Sequence, residues 1–214
     1  MEEYYRRRAK RYEEEFYQGS NNVRQRELEI IAEVSKKTLE NRRVLDVACG
    51  TGYWTQIVSE TARSIVGTDI AQEMLEIAKT KKYNCPVSFC KGDAYCLSFQ
   101  NDFFNGGLTN FWFSHIPKSR IRLFLKDFHR LLQRKSTIFM ADNVAGKGEE
   151  LIAKKGDNNT YQLRKLKDGS EHLVLKNYFS VDELMGIFGK CARGFSRENV
   201  FYGKYFWYLS YELW

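Results

Sequence analysis

The sequence predicts an α/β fold, in which a mostly parallel, doubly wound sheet is covered by helices on both faces. Short apolar segments such as 43–48 and 64–69 are typical of strands buried on both faces, and amphipathic helical segments follow them in alternation. The last segment, 195–214, instead predicts two strands that turn at 202–204 and pair antiparallel.

The individual elements follow from periodicity and from their flanking residues. Tyr5, Ala9, Tyr12 and Phe16 share one face of a first helix, and Ser180 is typical of a helix N-cap. The polar, glycine-containing stretch 146–176 is interpreted as an insert. Helices are expected over 3–18, 23–39, 53–61, 71–81, 118–132 and 180–189, and strands over 43–48, 64–69, 87–90, 103–110 and 136–141.

Composition narrows the class of protein. The 214 residues, 43% of them hydrophobic, suit one domain spanning 1–214, with 1–40 as an N-terminal helical cap. No apolar run suits a signal peptide or a membrane span, and five cysteines without zinc-site spacing favour a reduced, cytoplasmic, metal-free protein. The net charge of +7 is spread along the chain, so it leaves a nucleic-acid or anionic partner open.

The strongest local signal is the sequence Leu45-Asp46-Val47-Ala48-Cys49-Gly50-Thr51-Gly52. It lies between the first strand and a helix, where open α/β sheets bind ligands. The third small residue of a dinucleotide-binding loop is missing, and the Asp46 carboxylate would repel a pyrophosphate. The same carboxylate suits an ammonium or sulfonium group, and S-adenosylmethionine carries both. The loop therefore favours that cofactor over NAD.

Two further carboxylates follow later strands. Asp69 ends the second strand, where it can accept hydrogen bonds from both ribose hydroxyls. Asp93 follows the third strand, where it can accept a hydrogen bond from the exocyclic amine of adenine, and the Ala94 N–H can donate a hydrogen bond to the adenine ring.

With these motifs in order, the chain resembles the class I S-adenosylmethionine-dependent methyltransferases, in particular their small-molecule, UbiE-like branch. The matching residues are 45–52, Gly67-Thr68-Asp69, Gly92-Asp93-Ala94 and Ser114-His115-Ile116-Pro117, and the resemblance spans about residues 1 to 214. It implies a Rossmann-like sheet of about seven strands with a C-terminal antiparallel hairpin.

The resemblance also implies a set of cofactor-binding residues. Asp46 would face the methionine ammonium, Asp69 would hold the ribose, and Tyr12 would close over the cofactor. The implied set is Tyr12, Asp46, Ala48, Gly50, Thr51, Gly52, Asp69, Ile70, Met74, Asp93, Ala94, Asn110 and Phe111.

Three departures from the family pattern are visible, one of which is Gln133-Arg134-Lys135-Ser136 in place of the usual Pro-Gly-Gly before the fifth strand. Ala48 stands where the commoner loop has glycine. Alanine is tolerable at this position if the backbone there is extended. Asn110-Phe111-Trp112-Phe113 lacks the two prolines of nucleic-acid amino methyltransferases, so nucleic acid is not the expected substrate.

The expected activity is methyl transfer to a small-molecule acceptor, with His115 as the candidate general base. The first helix and the 146–176 insert are expected near the acceptor. Three alternatives remain: a methyltransferase acting on RNA or protein, a non-catalytic S-adenosylmethionine-binding protein, and an NAD-linked oxidoreductase. The oligomeric state and the methylated atom are left open.

Overall fold

The fold is described from a computed structural model, which covers residues 22–146, 150–166 and 168–214. A seven-stranded sheet has the order β3-β2-β1-β4-β5-β10-β9, and a separate three-stranded sheet has the order β6-β7-β8. β1–β5 run parallel to one another, whereas β10 runs antiparallel to both β5 and β9.

These elements alternate along the chain as the sequence predicts. The helices are α1 (Asn22–Thr38), α2 (Tyr53–Val58), α3 (Gln72–Lys79), α4 (Ile121–Arg130) and α5 (Val181–Phe188). The strands are β1 (Arg43–Val47), β2 (Ser64–Asp69), β3 (Val87–Lys91), β4 (Phe104–Asn110), β5 (Leu132–Asn143), β6 (Ile152–Ala153), β7 (Thr160–Lys165), β8 (Glu171–Leu175), β9 (Val200–Tyr202) and β10 (Phe206–Glu212).

Two hydrophobic clusters cover opposite faces of the large sheet. In β5, Ile138 and Met140 join the cluster formed with α4 and α5, whereas Phe139 and Ala141 join the cluster formed with α1 and α2. Because successive strand residues point to opposite faces, this alternation places the two helix pairs on either side of the sheet. The predicted doubly wound fold, including its antiparallel final strands, is confirmed.

The insert is more ordered than its composition predicts. β6, β7 and β8 form an antiparallel sheet within the stretch 146–176, for which no strand was expected. Two boundaries were also wrong: β5 begins at Leu132 rather than at 136, and 195–199 ends in a 3₁₀ turn rather than a strand. Strand prediction depends on alternating apolar and polar residues, and the insert strands lack this alternation because polar residues such as Lys165 and Glu171 are exposed there.

Other local predictions are confirmed. Ser180 caps α5 in a capping box with Glu183, each side chain bonding the other's backbone N–H. The predicted first helix, with Tyr12, lies outside the described residues. In the described part of the chain, no helix is long and apolar enough to cross a membrane.

Candidate active site

The loop after β1 is held in a left-handed conformation. The φ angles are +57° at Ala48, +56° at Gly50 and +76° at Gly52. The expectation that Ala48 is extended was therefore wrong, because this alanine adopts a conformation that favours glycine. The loop turns sharply enough to bring its backbone to the sheet edge.

The two glycines of the loop have different surroundings. A Cβ at Gly50, which lines a cavity, would meet no protein atom within 4 Å. A Cβ at Gly52 would lie 2.5 Å from the Tyr83 hydroxyl and 3.0 Å from Ala78 Cβ. Gly50 therefore leaves space for a ligand, whereas Gly52 allows the loop to pack closely on α3 and the residues after it.

Asp69 connects the loop to the next helix. Its Oδ2 accepts the Gly50 N–H at 2.9 Å and its Oδ1 accepts the Ala71 N–H at 2.9 Å. An ionised carboxylate has about four acceptor positions, and these two bonds use one position on each oxygen. Asp69 thus orients the loop and presents a carboxylate at the end of β2.

Asp46 lies beneath the loop rather than on the cavity surface. Its side chain is buried, and its Oδ2 accepts a 2.6 Å hydrogen bond from Thr55 Oγ1. Burial, with a smaller contribution from the negative charge of Asp69, raises the pKa of Asp46 to about 7, although the Thr55 bond opposes the shift. A cation near this end of the loop would favour the ionised form.

A cavity of about 360 Å³ opens at the carboxyl ends of β1, β2, β3 and β4. Most predicted site residues line it, whereas Asp46 and Gly52 do not, and Tyr12 lies outside the described residues. The predicted residues in its lining are Ala48, Gly50, Thr51, Asp69, Ile70, Met74, Asp93, Ala94, Asn110, Phe111 and His115.

We call the part of this cavity formed by 48–51, 69–71, Met74 and 93–94 the loop side. Asp93 Oδ1 accepts the Tyr95 N–H at 3.0 Å, which fixes the turn after β3. The loop side combines backbone groups with two carboxylates and the apolar side chains of Ile70 and Met74. This combination suits a ligand with hydroxyls, an exocyclic amine and a flat apolar ring.

Asn110 gives an independent test of whether a polar ligand fits. The residue lines the cavity, is only 8% exposed, and its amide nitrogen and oxygen meet no hydrogen-bond partner among the described residues. An unpaired buried amide is costly, so such a group is typical of a site that a ligand completes. The neighbouring Phe111 is also strained, with φ at +60°.

The opposite wall, which we call the β8 side, comprises Trp112, His115, Pro117, Arg120 and Leu175. The His115 ring is buried, and its Nδ1 lies 2.6 Å from the Leu175 carbonyl oxygen. A carbonyl only accepts, so Nδ1 carries the hydrogen and Nε2 carries the lone pair.

Sequence reasoning missed most of the β8 side and several aromatic residues. The guanidinium of Arg120 lies 3.7 Å from the centre of the Tyr95 ring. Leu175 is 60 residues from His115, so no local pattern could pair them. The missed lining residues include Tyr53, Trp54, Tyr95, Trp112, Arg120 and Leu175.

Comparison with known proteins supports this reading of the fold. Residues 44–135 match the family model described as a methyltransferase domain. Two demethylmenaquinone methyltransferases, from Staphylococcus aureus and Staphylococcus epidermidis, are each 33% identical over 95 residues, 42% of this chain. The chain covers only 39% of the length of these relatives.

Solved structures resemble almost the whole chain. A DhpI–SAH complex and a DhpI–SAM–HEP complex each have a TM-score of 0.74 and 22% identity. They cover 98% and 97% of this chain, and 93% and 94% of theirs. A Pyrococcus horikoshii protein has a TM-score of 0.72 and 17% identity, covering 91% of this chain and 93% of its own.

The fold and the matched region define a class. Residues 44–135 are similar to a methyltransferase domain, and the chain has the fold of the solved structures named above, so the resemblance to class I S-adenosylmethionine-dependent methyltransferases that its motifs indicated is confirmed.

Proposed function

We propose that this protein binds S-adenosylmethionine on the loop side of the cavity and transfers its methyl group to a small molecule on the β8 side. The observation that carries the proposal is the cavity itself, which joins the Gly50 loop, Asp69 and the unpaired Asn110 amide at one sheet edge. The relatives named above, whose names or complexes include methyltransferases, SAM and SAH, support the same cofactor.

The cofactor supplies a methyl carbon activated by its bond to a sulfonium. On the loop side, Asp69 would accept from the ribose hydroxyls, and Asp93 with the Ala94 N–H would hold the adenine edge. The Asn110 amide would find its missing partner on the cofactor. Asp46, beneath the loop, would favour a nearby ammonium group by its charge.

The β8 side would orient the acceptor and exclude water. Aromatic side chains and Arg120 form a wall that can bury a compact molecule of mixed polarity. Holding the acceptor atom in line with the methyl carbon accounts for much of the acceleration in such a reaction. A small acceptor is consistent with the cavity volume of about 360 Å³.

His115 is the proposed general base. Transfer of the methyl group would break its bond to the sulfonium sulfur and leave S-adenosylhomocysteine. If the acceptor is a hydroxyl or amine, His115 Nε2 would take the proton that the acceptor loses, giving an imidazolium whose Nδ1–H stays on the Leu175 carbonyl. His115 would then release the proton to solvent.

Calorimetric titration with S-adenosylhomocysteine, with NAD as the competing ligand, tests the cofactor. We expect micromolar binding of S-adenosylhomocysteine and at least tenfold weaker binding by Asp69→Asn, which keeps the size of the side chain and removes its charge. Glu33→Gln, an exposed partner of Lys36 on α1, is the matched control and should bind like the wild type.

Binding of NAD instead would overturn the proposal. Binding of S-adenosylhomocysteine without methyl transfer to any member of a small-molecule panel would favour the two alternatives that share the cofactor: a methyltransferase acting on RNA or protein, and a non-catalytic cofactor-binding protein.

A further inference from the structure

A buried polar cluster joins the insert sheet to the large sheet behind the β8 side. Its centre is Lys176, which directly follows β8 and is 3% exposed. Lys176 Nζ donates to Ser114 Oγ at 2.7 Å, Asn143 Oδ1 at 2.7 Å and Asp142 Oδ1 at 3.2 Å. Asp142 is fully buried at the end of β5, so this ion pair is shielded from water.

The same cluster fixes the loop that carries His115. Asp142 Oδ2 accepts the Ser114 N–H at 2.7 Å, so one carboxylate holds both Lys176 and the backbone next to His115. Asn177 adds two more bonds: its N–H donates to the Ser114 carbonyl and its Nδ2 donates to the Ile116 carbonyl.

The residues on either side of His115 are thus bonded to the residues that follow Leu175. This arrangement leaves little freedom for the contact between His115 Nδ1 and the Leu175 oxygen. Because the bond decides which ring nitrogen carries hydrogen, anything that holds β8 in place also selects the tautomer of His115.

We propose that Lys176 is a positioning residue, whose buried pair with Asp142 holds the end of β8 so that the Leu175 carbonyl keeps His115 in the Nδ1–H tautomer. With hydrogen at Nδ1 of the neutral ring, the lone pair is at Nε2, the nitrogen that the proposed function uses as the base. The use of this tautomer in catalysis rests on the proposed function, whereas the tautomer itself can be measured without an acceptor.

The test is ¹⁵N NMR of the histidine rings in the full-length protein. The chain has three histidines, and the His115 signals are assigned by their loss in His115→Gln. In the wild type we expect a protonated-type resonance at Nδ1 and an unprotonated-type resonance at Nε2. In Lys176→Met we expect this separation to be lost, as the two tautomers come to similar populations.

Lys118→Met is the matched control. Lys118 also bridges elements near the site, through an ion pair with Glu183, but both side chains are partly exposed. The His115 signals should not change in this variant. If Lys176→Met does not fold, the double variant Asp142→Asn/Lys176→Met takes its place, because it removes the ion pair without leaving a buried charge unpaired.

A folded Lys176→Met, or in its place the folded double variant Asp142→Asn/Lys176→Met, with the wild-type His115 signals would overturn the proposal. So would the Nε2–H tautomer in the wild type. Calorimetry with S-adenosylhomocysteine on the same samples separates the two proposals: lost binding in the wild type contradicts the proposed function, whatever tautomer the spectra report.

Discussion

The two sides of the cavity are built in different ways. The loop side consists mainly of backbone groups and carboxylates from three strand ends, each within a short stretch of sequence. The β8 side is assembled from distant segments and held by a buried ion pair between Lys176 and Asp142, 34 residues apart. The difference teaches that the loop side, the proposed cofactor site, is encoded locally, whereas the β8 side, the proposed acceptor site, depends on tertiary contacts.

The largest expected effect lies on the β8 side. Asp142→Asn leaves the Lys176 ammonium buried without its carboxylate, which should reduce the free energy of unfolding by about 3 kcal/mol. Urea denaturation followed by circular dichroism measures this change. The double variant Asp142→Asn/Lys176→Met should recover much of the loss, because no buried charge remains unpaired.

The partly exposed Lys36–Glu33 pair provides the comparison for that effect. Glu33→Ala should change the free energy of unfolding by less than about 0.5 kcal/mol, as is usual for surface pairs. Equal losses in Asp142→Asn and Glu33→Ala would contradict the special role of the buried cluster.

The second prediction concerns how stability depends on pH through Asp46, which lies beneath the loop. The pKa of Asp46 is raised from 3.8 to about 7, so the folded state favours the protonated carboxyl. Its contribution to stability is therefore complete below the unfolded pKa and is lost as pH rises from about 4 to about 7. Asp46→Asn, which stays neutral, should be more stable than the wild type above pH 7 by about 2–3 kcal/mol.

His129 contributes the opposite dependence of stability on pH over part of the same pH range. Burial lowers its pKa from 6.5 to about 4, so the folded state favours neutral imidazole and loses stability as pH falls through that window. Urea midpoints measured from pH 4 to pH 8 should vary less in the wild type than in Asp46→Asn. Parallel curves for the two proteins would show that Asp46 ionises normally.

The smallest expected effect separates the two loop glycines. Gly50→Ala and Gly52→Ala both place a side chain at positive φ, so the backbone penalty is shared. Only at Gly52 does the new Cβ meet Tyr83 and Ala78. Gly52→Ala should therefore lower the free energy of unfolding by about 1–2 kcal/mol more than Gly50→Ala, as measured by urea denaturation.

Ligand binding should reverse that order. Gly50 lines the cavity and Gly52 does not, so Gly50→Ala should weaken S-adenosylhomocysteine binding more than Gly52→Ala does. If calorimetry finds normal binding in Gly50→Ala, the loop does not approach the ligand at this residue.

The sequence by itself determined the alternation of strands and helices along the chain, the loop at 48–52 and the carboxylates at the strand ends. Each of these is a local pattern: an apolar run, a glycine pair, or a polar residue directly after a strand. The capping box at Ser180 was predictable for the same reason, since its partners are three residues apart.

The tertiary structure alone decided features that join distant residues. Glu27 reads as an ordinary polar helix residue, yet its carboxylate is buried and accepts the backbone N–H groups of Lys204, Tyr205 and Phe206. Likewise, neither Lys176 nor Leu175 carries a sequence signal for its contact with the His115 loop. Local periodicity reports which face of an element is buried, but which distant groups meet there depends on how the folded elements pack.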